Sequence, residues 1–342
     1  MSAAVVIAGV MVVALNGYVL LGGADFGGGV WDLLASGPRK AAQRDLVAHV
    51  IGPVWEANHV WLILVVVLLF TCFPPAFARL SVMLNLPLTG VLLGIVLRGS
   101  AFAFRGYGGD RDVVQRRWGR VFAIASLITP ILLGITVAAV ASGHLGEGGS
   151  GKGEGYFANY VATWLTPFNI SVGFFTLACF GFLAAVYLTL EIPAGPLRED
   201  FRARALAAGG IVFLTAGLSL LLARSGAPRM EAGLLHARWA VPFQLATGVS
   251  ALTALWALWT RRYALARVAA AAQVSLIVWG WAWSQFPYVV PPDLTIAISA
   301  SPRATLRLVL GALVVGAAVL FPSLFYLFRV FKSSDAVRNA SS

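Results

Sequence analysis

Two polar clusters interrupt an otherwise apolar sequence, and both carry groups able to hold or pass protons. In "IGPVWEANHVWLI", residues 51 to 63, Glu56, Asn58 and His59 fall within one helical turn between Trp55 and Trp61. Glu56 and His59 are three apart, as are Asn58 and Trp61, and Trp55 and His59 are four apart, so polar and aromatic groups crowd together on a helix. In "NGYVLLGGADFGGGVWDLL", residues 16 to 34, Asp25 and Asp32 are seven apart, two helical turns, and share a face. Gly22, Gly23, Gly27, Gly28 and Gly29 leave that segment little bulk, which lets a neighbouring helix or a cofactor approach closely.

The chemistry depends on the solvent around these groups. Of 342 residues, 59% are hydrophobic and only 11% charged, against about 25% charged in an ordinary soluble domain. A helix needs about 20 apolar residues to cross the hydrocarbon. Stretches of that kind recur near residues 3–34, 50–72, 77–97, 119–141, 158–190, 205–223, 239–260, 264–285 and 305–328. The expectation is an all-α polytopic membrane protein of about nine transmembrane helices, with residues 1–342 forming a single integral membrane domain. The first stretch is too long and glycine-interrupted for a removable signal peptide.

The net charge of +11 is explained by topology. With the amino terminus outside and the carboxy terminus cytoplasmic, eighteen Lys and Arg fall on inner segments, Arg98 among them, and seven on outer ones. That distribution follows the positive-inside rule and does not mark a nucleic-acid footprint. The glycine-rich "GEGGSGKGEG" lacks the spacing of a phosphate-binding loop, and no strand precedes it.

At membrane depth, burial raises the pKa of a carboxyl and lowers that of an imidazole, so a carboxyl, an imidazole and an amide in one turn suit proton transfer. Glu56 enters the membrane from the inner side, in the same inner half as Asp25. Asp32, close to the inner boundary, reads as a helix-end residue that snorkels or caps. Trp55 and Trp61 read either as interfacial anchors or as packing residues. His59 reads as a hydrogen-bond partner or a haem ligand. The other histidines, His49, His144 and His236, lie at the inner boundary or in outer loops. A bis-histidine haem is therefore hard to build from this chain, and no zinc or di-iron spacing is present. Cys72 and Cys179 read as free core thiols. "TPFN", residues 166–169, starts the fifth span, and "SQFPYVVPPDLTIAISASPRATLRLVL", residues 284–310, reads as an outer connection packed over the membrane surface.

At these residues the sequence is similar to subunit II of the cytochrome bd-type terminal oxidases. "GADFGGGV" resembles the family's DGFDxGVG, and "IGPVWEANHVWLI" its GPxWDGNxVWLI; "TPFN", "FPYVVPPDLTI" and "TLRLVL" follow in the family's order. The resemblance implies two four-helix bundles plus a peripheral helix, in a bacterial or archaeal cytoplasmic (inner) membrane. It implies a larger, similarly folded subunit I that holds haem b and haem d and, with this chain, couples quinol oxidation to reduction of O2 to water. This chain would then hold no catalytic residue and no firmly bound cofactor. It would contribute a cytoplasmic-side proton path through Asp25, Glu56, Asn58 and His59, with Asp32, Trp55 and Trp61 as secondary members. A structural quinone or lipid and a small accessory subunit are further implied partners. The first acid of the family pattern falls on Gly22, its Phe on Ala24 and the Gly of WDGN on Ala57, while His59 stands where Gln or Glu is common. Two other readings fit buried acids and glycine-rich helices: a proton-coupled secondary transporter, and a purely structural subunit of an oxidase with a different electron donor.

Overall fold

The computed structural model describes residues 2–51, 55–107, 112–146 and 155–340. In chain order the helices are α1 (Ala3–Leu33), α2 (Lys40–Ile51), α3 (Trp55–Cys72), α4 (Pro74–Met83), α5 (Asn85–Tyr107), α6 (Asp112–Ser142), α7 (Tyr156–Tyr160), α8 (Pro167–Glu191), α9 (Pro196–Gly226), α10 (Pro228–His236), α11 (Ala240–Trp259) and α12 (Tyr263–Gln285). A hairpin of β1 (Tyr288–Val290) and β2 (Leu294–Thr295), the short α13 (Ile296–Ser299) and the long α14 (Arg303–Ala340) complete the chain. Among the described residues, eight helices are long and apolar enough to span a membrane, and nine if the bent pair formed by α3 and α4 is one span.

The helices pack as α1, α3, α5 and α6 on one side and α8, α9, α11 and α12 on the other, with α14 peripheral against α1 and α3. The two groups are joined where α8 lies against both α1 and α6. A core of Phe26, Phe180, Phe182, Leu183 and Phe201 fills that junction, and a second, around Ile7, Leu68, Phe73, Leu84 and Val290, closes the other end of α1.

Three boundaries differ from the sequence expectation, two of them because of proline. The run 77–97 is divided: α4 ends at Met83, and α5 starts afresh at Asn85 with Pro87 in its first turn. Proline is tolerated there because the first-turn N–H has no helical partner. The run 158–190 likewise becomes the single turn α7 and then α8, which begins at Pro167 with the Thr166 hydroxyl accepting a hydrogen bond from the Asn169 N–H at 3.2 Å. Residues 40–51 form α2, a helix absent from the sequence reading. The outer connection folds as a hairpin in which Tyr288 pairs with Thr295. Ser301 then ties it to the end of α3, its N–H donating to the Cys72 carbonyl and its hydroxyl to that of Thr71.

The glycines of α1 are filled by protein. A Cβ on Gly27 would fall 2.0 Å from the Phe180 carbonyl oxygen of α8, and one on Gly29 would fall 2.2 Å from Ser126 Oγ of α6. The Trp31 indole N–H donates to the Gly181 carbonyl at 2.8 Å, fixing α1 and α8 at that short separation. Replacing Gly27 by Ala is expected to force the two backbones apart and to cost roughly 1–3 kcal/mol or more. Replacing Gly210, whose Cβ would meet nothing within 4 Å, should be neutral or slightly stabilising. Thermal unfolding of the two purified variants in detergent checks the contrast; equal midpoints would show that α1 and α8 do not depend on the close approach.

Candidate functional site

The Asp25 carboxylate of α1 is paired. Asp25 is 5% exposed and Arg98, from α5, 2% exposed. Arg98 Nη1 donates to Asp25 Oδ2 at 2.6 Å, Nη2 donates to Oδ1 at 2.5 Å and to the Asp25 carbonyl at 3.0 Å, and Nε donates to Ser126 Oγ of α6 at 3.0 Å. The guanidinium also lies over the Phe26 ring at 4.8 Å and the Phe122 ring at 4.9 Å. A fork of N–H donors against a two-oxygen acceptor is the strong form of the interaction, and the aromatic faces add cation–π attraction.

The apolar run 77–97 ends just before Arg98, which on sequence alone assigns it to an inner segment. The structure places it inside α5, which continues to Tyr107. The signal was present in "GIVLRGSAFAF", where the arginine has apolar flanks on both sides. Moving Arg98 out of the inner segments leaves the sign of the charge asymmetry unchanged.

The predicted polar turn of α3 packs beside the pair. Asn58 is buried, and its amide donates to the Leu21 carbonyl at 3.4 Å, a long bond to α1. The His59 ring sits 6.0 Å from that of Tyr18 and 6.2 Å from that of Phe26. Trp61 is a packing residue whose indole covers Gly17. Trp55 and Glu56 begin α3, but their side chains lie outside the described residues, as does that of His49. Asp32 is 3% exposed and does not reach into water as a snorkelling residue would. It faces Arg44 of α2, whose Nε donates to the Asp32 carbonyl at 3.1 Å and lies 3.9 Å from its carboxylate. The structure thus brings Asp25, Asn58 and His59 together and leaves Asp32 at the helix end.

A cavity of about 300 Å³ adjoins this cluster between α1, α6, α8, α9, α11 and α12. Its lining is mainly apolar, with Tyr18, Cys179, Ser219 and Trp281 among its walls. The Tyr18 hydroxyl, the Ser219 hydroxyl and the Trp281 indole N–H have no hydrogen-bond partner among the described residues. Cys72 and Cys179 are free and buried, as their apolar context suggested. Among the described residues no three His, Cys, Asp or Glu side chains gather as a metal-ligand group.

Comparison with known proteins gives a consistent result. A cytochrome bd subunit II of Bacillus subtilis (strain 168) is 26% identical over 326 residues, 92% of this chain and 91% of that protein. The cytochrome bd ubiquinol oxidase subunit 2 of the same organism is 29% identical over 198 residues, 58% of this chain and 56% of that protein. The cytochrome bd-I ubiquinol oxidase subunit 2 of Escherichia coli (strain K12) is 25% identical over 217 residues, 60% of this chain and 53% of that protein. In fold, the chain is similar to one from the bd oxidase of Geobacillus thermodenitrificans, with a TM-score of 0.79 at 23% identity over 97% of this chain and 99% of that one. The sequence pattern of cytochrome bd terminal oxidase subunit II matches residues 3–331. A multi-pass helical chain with that pattern along nearly its whole length belongs to the cytochrome bd terminal oxidase subunit II family.

Proposed function

We propose that this chain is the non-haem subunit of a bd-type oxygen reductase, and that the Asp25–Arg98 pair with Asn58, His59 and Glu56 forms part of a proton path from the cytoplasmic side. The whole chain acts as one integral unit in a bacterial or archaeal cytoplasmic membrane, amino terminus outside. Its partner is a haem-bearing subunit I that oxidises quinol and reduces O2 to water, with a small accessory subunit as a further candidate. The haems, when bound there, supply the redox chemistry; this chain's residues hold charge and move protons. The cavity beside Tyr18 suits a long apolar chain, such as the tail of a quinone or a lipid.

The observation that carries this reading is the buried ion pair. Charged side chains at membrane depth are costly, and a buried pair seldom adds net stability over apolar residues of the same volume. Here both carboxylate oxygens are engaged by Arg98, so Asp25 takes a proton only by giving up one of these bonds. Arg98 stays charged throughout. The pair therefore acts as a switchable site whose field extends to His59, which lies within reach of both charges. The structural reading has its own support, because Arg98 bonds α5 to both α1 and α6.

Purification of the tagged protein from its native membrane in mild detergent tests the assignment. A co-purifying subunit of similar size with haem bands in the reduced-minus-oxidised spectrum is the expected result, and a colourless protein isolated alone would remove it. Within that complex, Glu56→Leu should lower oxygen consumption roughly tenfold, about 1.4 kcal/mol in the barrier, with haem content retained. Unchanged consumption would take Glu56 out of the path. Arg98→Met should cost about 3–5 kcal/mol of stability by stranding Asp25, and the double variant Asp25→Leu/Arg98→Met should recover most of it. A recovered, haem-replete double variant that reduces oxygen at the original rate would leave the pair a purely structural role.

A further inference from the structure

Tyr18 belongs both to the ion-pair cluster and to the cavity, and its hydroxyl has no structural return. The residue is 1% exposed and its hydroxyl has no hydrogen-bond partner among the described residues, which costs stability because the buried group has lost its water. Phenylalanine would fill the same space without that penalty. The ring faces His59 at 6.0 Å and lies over the bare surface of Gly22, where an added Cβ would sit 3.0 Å from Cε2. The charges of Arg98 and Asp25 both act on it. His59 on α3 faces it, Asp25 follows two turns along its own helix, and the Cys179 thiol of α8 lines the same cavity.

Gly22 is also the position at which the family pattern has its first acid. A side chain there would press on the Tyr18 ring, so a bulky acid and this ring placement exclude each other unless one gives way. We infer that the Tyr18 hydroxyl is the proton-relay group of this chain between His59 and the Asp25–Arg98 pair, in the space that an acid at position 22 would otherwise use. The inference rests on the proton-path reading above. In each passage Oη accepts a proton from the His59 side while the proton it carried leaves toward the Asp25 carboxylate. Tyr18 therefore starts and ends as a neutral phenol, and the net movement is one proton from a His59 imidazolium, charged from the cytoplasmic side, to the Asp25 carboxylate, leaving neutral imidazole and carboxylic acid.

The test uses the complete complex with its partner subunit and four variants: Tyr18→Phe, Asp25→Asn, Tyr18→Ala, and Tyr18→Ala with Gly22→Asp. Oxygen consumption is measured at saturating donor in H2O and in D2O, alongside haem content. Tyr18→Phe is expected to slow turnover about tenfold or more and to raise the solvent isotope effect with haem content unchanged. Adding Gly22→Asp to Tyr18→Ala is expected to restore part of the lost rate, since the acid then occupies the vacated space. Four results overturn the relay: a Tyr18→Phe complex with normal turnover, a slow one with an unaltered isotope effect, one that fails to assemble, or a double variant no faster than Tyr18→Ala. If Tyr18→Phe is normal while Asp25→Asn is slow, only the role of Tyr18 falls; if both are normal, the path falls with it.

Discussion

The arrangement of the first helices depends on one electrostatic constraint: two opposite charges must be kept together away from water. Asp25 and Arg98 are each nearly inaccessible, and separating either from the other would leave a lone charge among phenylalanines. The helices therefore have little freedom. Arg98 fixes the rotation of α5 by its fork on Asp25, and fixes α6 through Ser126. Phe26 and Phe122 close over the guanidinium faces, so the remaining surface of the cation is covered by π-density instead of hydrocarbon alone.

The small residues of α1 are the counterpart of this constraint. For Arg98 and Ser126 to reach Asp25, α6 must come close, and the contact between Gly29 and Ser126 is where it does so. On another face Gly27 meets the backbone of α8, and Trp31 bonds to the Gly181 carbonyl. One helix thus serves both bundles. Its glycines set the spacing on each side, and its aspartate sets the register. Without a hydrophobic driving force between helices in lipid, close van der Waals packing and buried polar bonds carry the association.

Much of this was legible in the sequence and some was not, for physical reasons. The spans were readable because hydrocarbon selects for long apolar runs, and the polar turn around Asn58 and His59 stood out against them. The glycine run announced a close approach, although not that α8 and α6 would make it. Arg98 was misplaced because sequence hydropathy cannot tell a cation at a membrane boundary from one that has found a buried carboxylate 73 residues away. The pairing is a tertiary fact. The place of Asp32 at the helix end was legible, but its burial was not, since that depends on α2 folding back and offering Arg44. The break before Asn85 was hidden because the apolar composition runs on through it, whereas the restart at Pro167 was legible in "TPFN", where a proline opens the helix.

The position of the site relative to the cavity gives the final step. The ion pair lies among α1, α5 and α6, and the cavity opens between α1, α6 and the second bundle. Tyr18, seven residues and about 10 Å along α1 from Asp25, lines that cavity and faces His59. A charge pair with fixed partners is a poor carrier by itself, because every proton it accepts must break a strong bond. Neighbours that exchange protons without changing charge lower that demand. In the proposed relay the imidazole of His59 and the phenol of Tyr18, on neighbouring helices with ring centroids 6.0 Å apart, are those neighbours.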